Sequence, residues 1–192
     1  MAKRLVPWSW FASAVLTALT AALLLGPPQA LAASDKPMPP MLSQGDREKP
    51  QDVIDWLHAN EARADKATAR KFFELGTKHK QRKDWGGAIK GFGDSAAFYP
   101  SPRAFIELAE AELHMLRDIR RRTGATQAER LGDVQAAADS YGYALAADSV
   151  LQQLTSPQRQ RLEFNVACIS DYLKTQVAAS NCPPLVLYGV AK

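Results

Sequence analysis

Only three histidines and two cysteines occur among the 192 residues, and that scarcity narrows the chemistry. His58, His79 and His114 fall in separate segments, none beside a serine or cysteine motif, so a nucleophilic triad finds no support. No histidine pair stands near Cys168 or Cys182 at ligand spacing, which removes the common zinc patterns. Glycine-rich phosphate loops and nucleophile elbows are also missing. Carboxylates such as Asp84, Glu107 or Glu110 could form a distributed site, but solvated helices carry such residues for solubility. The expected class is therefore a binding protein without a cofactor rather than an enzyme. Charge of one sign is scarce too. The formal net charge is +4, and Lys3 and Arg4 supply two of those charges, too little to argue for nucleic acid.

What is present begins with an export pattern. Lys3 and Arg4 precede an uncharged apolar run over residues 8–25, which Gly26, Pro27 and Pro28 then break. Ala30 and Ala32 supply small residues at the alternate positions a signal peptidase accepts. Residues 1–32 are expected to be a cleaved signal peptide and the protein to be periplasmic or secreted. The other reading is an uncleaved inner-membrane anchor, since the run reaches the ~17 residues that span a bilayer. Pro37, Pro39, Pro40 and Pro50 mark residues 33–50 as a flexible leader. The folded domain is expected over 51–192.

From residue 51 the apolar spacing is helical, and the expected fold class is all-α. Val53, Ile54, Trp56 and Leu57 share one side of a short first helix. Phe72, Leu75, Gly76 and His79 mark a helix over about 67–83, and residues 84–87 a turn. Ala88, Ile89, Phe92, Ala96 and Phe98 continue on the next helix, which Pro100 ends. Ser101 caps a further helix with Pro102 at its first position, carrying Phe105, Leu108, Ala109, Leu116 and Ile119. Thr126 and Glu129 form a capping box that starts another near Gln127, striped by Leu131, Val134, Ala138, Tyr141 and Leu145. Ser156 and Pro157 open the last long helix. Pro183 onward reads as an extended apolar tail that packs back on the domain.

One segment has a more specific rhythm. Phe72, Leu75, Gly76, Trp85, Ala88, Phe92 and Pro100 place small and large residues so that residues 69–102 resemble a tetratricopeptide repeat (TPR). Phe105, Leu108, Ala109, Ala137, Tyr141 and Ala144 resemble the same unit stretched by a 16-residue insertion between its two helices. Asn165, Val166 and Ala167 resemble a third first helix. About two and a half repeats result, with the Val53–Leu57 helix and the tail as caps.

The resemblance implies a concave face made by first helices, which would bind a protein or peptide partner. Its lining would be Arg70, Phe73, Thr77, Lys80, Arg103, Ile106, Glu110 and His114. Arginines beside apolar residues suit a segment carrying a carboxylate and an apolar side chain, while a solvated helix face is the plain alternative. Phe73 and Thr77 stand where the family's clamp for a C-terminal carboxylate has lysine and asparagine, so that activity is not implied. Lys78, Arg82 and Lys83, with Arg117, Arg120, Arg121 and Arg122, end two first helices on one edge. They complement helix C-termini, or else form a docking edge for an anionic membrane surface or acidic partner. Cys168 and Cys182, 14 residues apart, form a disulfide in an oxidising compartment, or are unrelated thiols. The functional expectation is a protein-interaction module, an assembly or accessory factor of the cell envelope. The alternative is a small envelope enzyme or a ligand carrier with a pocket beneath the tail.

Overall fold

The structure, a computed structural model, describes residues 38–124 and 131–191. Among the described residues, seven α-helices make up the architecture and no strand occurs. They are α1 (Pro50–Asn60), α2 (Lys66–Gln81), α3 (Trp85–Phe98), α4 (Pro102–Thr123), α5 (Leu131–Leu151), α6 (Ser156–Thr175) and α7 (Pro183–Tyr188). The expected signal peptide and the capping box at Thr126 lie outside the described residues. Among the described residues, no helix is long and apolar enough to cross a membrane.

Local chemistry sets the helix starts. The Asp65 carboxylate accepts from the Thr68 amide at 2.9 Å, and the Asp84 carboxylate from the Gly87 amide at 3.0 Å. Because Asp84 caps directly, α3 begins at Trp85 rather than after a turn reaching Gly87. The Ser101 hydroxyl accepts from the Ala104 amide and Pro102 follows, as the spacing predicts. Gly124 closes α4 in the left-handed region at φ 61°. At α6 the cap is Thr155, one residue before the expected Ser156, with its amide and hydroxyl both donating to Gln158 Oε1.

Successive helices pack on one another, α2 on α3, α3 on α4, α4 on α5 and α5 on α6. At the α2–α3 crossing, a methyl group on Gly76 would lie 2.8 Å from the Phe92 ring. One on Gly91 would lie 2.6 Å from the Gly76 backbone, so the two helices touch main chain to main chain. Between α4 and α5 the fully buried Ala109, Ala137 and Ala144 permit a similar approach, while Phe105, Leu113 and Tyr141 fill the space around them. Asp148, 1% exposed, ties α5 to α6: its Oδ1 accepts from the Leu154 amide at 2.7 Å, and its Oδ2 pairs with Arg159 at 2.6 Å.

Three elements differ from expectation. The short N-terminal helix α1 packs chiefly on α5. Buried residues occur all round α5, among them Val134, Ser140, Tyr143 and Ala146, so it needs cover on more than one side. Leu75 on α2 accordingly stays 45% exposed. Residues 38–49 of the expected flexible leader lie as a strap against the helices. Leu42 is buried, its amide donates to the Ala97 carbonyl at 2.8 Å, and the Tyr143 hydroxyl donates to the Arg47 carbonyl at 2.9 Å. The expected extended tail is instead the helix α7. Pro183 and Pro184 take its first two positions, where no amide hydrogen is needed, and Gly189 at φ 82° ends it. Cys168 and Cys182 are at disulfide distance, with Cα atoms 5.8 Å apart, and α7 rests on α4 and α6 with Leu185 and Tyr188 fully buried.

Candidate functional site

Residues three and four apart along α2, α4 and α6 share a face, and two adjoining recesses lie along it. The first, of about 300 Å³, is lined by Arg70, Phe73, Tyr99, Arg103 and Gln153 among others. Arg103 and Gln153 also line the second, of about 390 Å³, with Ile106, Glu110, Arg161 and Asn165. The Arg103 guanidinium stands 4.8 Å over the Phe73 ring, whose other neighbour is Phe92 at 5.2 Å between ring centres. Arg103 is thus held over an apolar surface with its charge at the opening.

Lys80 decides the electrostatics. Its ammonium contacts Glu107 at 2.6 Å and Glu110 at 2.7 Å, linking α2 to α4. Burial acts to lower its pKa, but the two carboxylates together hold it above the usual lysine value. The same contacts draw both glutamates to one end of the face. Arg70, Arg103 and Arg161 then set the charge of the remainder. The Asn165 Oδ1 is buried without a hydrogen-bond partner and lies in the wall of the second recess.

The structure gathers Arg70, Phe73, Arg103, Ile106 and Glu110 at these recesses, with Lys80 beside them. Two expected residues stand apart. The Thr77 hydroxyl donates to the Phe73 carbonyl of its own helix at 2.9 Å. His114 is half-buried and stacked on Trp85, ring centres 4.3 Å apart. Desolvation lowers its pKa, and Arg117 and Lys80 add to that. Asn165 and Arg161 complete the face but were missed as lining residues; their helical spacing from Leu162 was the available signal.

On the basic edge, Lys83, Arg121 and Arg122 border one recess at the ends of α2 and α4. Arg117, Arg120 and Arg121 border a second beside Tyr188. Arg120 lies 5.6 Å over the Tyr188 ring and donates to the Gly189 carbonyl at 3.1 Å, while Arg117 approaches Asp118 at 3.5 Å. Lys78 and Arg82 are exposed near the end of α2. Part of this edge therefore serves to seat α7.

A further cavity, of about 580 Å³, opens between α3 and α5 beneath the strap. Glu112 is its half-buried acid, bonded to the Ser140 hydroxyl at 3.2 Å. Burial raises its pKa from the ordinary 4.5 to about 7, against the pull of Ser140 and Arg47. Sequence reasoning passed over it, although Glu112 interrupts the apolar stripe Phe105, Leu108, Leu116 at four-residue spacing. Among the described residues, no group of three or more histidine, cysteine or acidic side chains could hold a metal ion.

Against this geometry the chain was compared with protein-family models, curated proteins and solved structures. It matches none of them.

Proposed function

We propose that the protein is an exported protein-interaction module of TPR-like hairpins, acting as an assembly or accessory factor of the cell envelope. Its partner is an extended segment that offers a carboxylate and an apolar side chain to the face of α2, α4 and α6. The observation that carries this reading is Arg103 poised over Phe73 at the junction of two recesses, with Lys80 drawing the neighbouring glutamates aside. A carboxylate would meet Arg103 there while an apolar side chain reached Phe73 and Ile106. The close α2–α3 crossing at Gly76 and Gly91 supports the repeat-like hairpin. The alanine-filled α4–α5 contact supports a second, longer one. Export draws on the pattern in residues 1–32 and on a cysteine pair at disulfide distance.

Affinity capture from envelope extract, with the mature protein as bait, tests the proposal. One partner should be retained by the wild type and lost with Phe73→Ala and with Arg103→Ala. Equal retention by both variants, or capture of nothing, would refute it.

A further inference from the structure

The cavity beneath the strap lies on the side of α4 away from the candidate interaction face. Glu112 follows Glu110 by two residues, about 200° round a helix. Of the charges that line it, Lys90 pairs with Asp94 at 2.8 Å, and Asp139 accepts from the neutral Gln135 amide group at 2.7 Å on the exposed side. Arg47 and Glu112 are set apart by desolvation, the largest influence on each. Arg47 lies between two rings, 5.4 Å from the centre of Phe105 and 5.9 Å from that of Tyr143, and its Nε is buried without a hydrogen-bond partner. Among the described residues, Glu112 accepts only from the Ser140 hydroxyl across the cavity wall. Among the described residues no ion pair closes the gap between them. Two opposite charges, each short of a partner, thus face the same space.

We propose that this cavity binds a small zwitterion of the α-amino-acid kind, its carboxylate on Arg47 and its ammonium on Glu112. Such a ligand supplies each group with the charge it lacks, and a molecule with only one charge would leave the other unmatched. A volume of about 580 Å³ also leaves room for a side chain against Ile89, Ala97 and Leu108. Because the strap carries Arg47, the occupied cavity would fasten residues 38–49 to α4 and α5. This site is independent of the proposed interaction face, so the failure of one leaves the other standing.

Isothermal titration calorimetry on the full chain at pH 7.5 tests it, with L-alanine, L-leucine, L-phenylalanine and L-glutamate as probes, at up to about 10 mM. Propionate and propylamine, each with one charge, are the controls. At least one amino acid should bind saturably at one site, and neither control should. Glu112→Gln should weaken that binding by roughly tenfold or more. So should Arg47→Met, which removes the charge but keeps an unbranched chain between the Phe105 and Tyr143 rings. No binding by any probe overturns the proposal. So does propionate or propylamine binding as well as the amino acids, or unchanged binding in a variant that circular dichroism shows to be folded.

Discussion

Glu112→Gln gives the sharpest test of the desolvated acid, because Gln keeps the shape and removes the titration. Raising a carboxyl from 4.5 to about 7 means that the folded state holds its proton more tightly than the unfolded chain. Stability contributed by that proton is full below the unfolded value and is lost as pH rises between about 4.5 and 7. The shift converts to about 3 kcal/mol at 1.36 kcal/mol per pKa unit. His114, whose pKa is lowered, works in the opposite direction over part of the same range, so the wild type alone would not isolate Glu112. The assay is therefore urea unfolding of wild type and Glu112→Gln at pH 5 and pH 8, followed by far-ultraviolet circular dichroism. His114 cancels in the difference. Relative to the wild type, the variant should gain about 2 kcal/mol or a little more between pH 5 and pH 8, since at pH 5 the unfolded carboxyl is already largely ionised. The same stability difference at both pH values would refute the reading of Glu112 as a desolvated acid whose proton the fold retains.

Other perturbations act on packing and connection. Gly91→Ala places a methyl group 2.6 Å from the Gly76 backbone and should cost about 1–3 kcal/mol in denaturant melts. Gly93→Ala, which meets nothing within 4 Å, should be neutral or stabilising by up to about 1 kcal/mol. Equal effects of the two would deny the close α2–α3 crossing. Asp148→Ala leaves the Leu154 amide unbonded and Arg159 without its buried partner, and should cost about 3 kcal/mol in the same melts. Cys182→Ser should lower stability by about 3 kcal/mol and free α7, seen as faster amide exchange over residues 183–190. Two reactive thiols in the folded, oxidised wild type would contradict the bond.

Local chemistry fixes what could be read from the sequence. Helical class and the Ser101–Pro102 start of α4 depend on residues within one turn of each other, so spacing alone reports them. The pairing of Cys168 with Cys182 was legible for another reason, namely the presence of a single pair and the expectation of an oxidising compartment. Tertiary structure decided the rest. A tail starting with two prolines can be extended or begin a helix; contact with α4 and α6, which buries Leu185 and Tyr188, selects the helix. The proline-bearing leader carries almost no periodic signal, yet Leu42 and Arg47 find places on the helices that spacing within the strap does not encode. Likewise the seat of α1 on α5 follows from α5 being buried on several sides. Glu112 shows the boundary between the two. Its place in an apolar stripe was visible in the sequence, but the cavity, the Arg47 guanidinium seated between two rings and the raised pKa exist only where strap, α4 and α5 meet. Desolvation depends on what surrounds a group in space, and those neighbours lie 28 and 65 residues away along the chain.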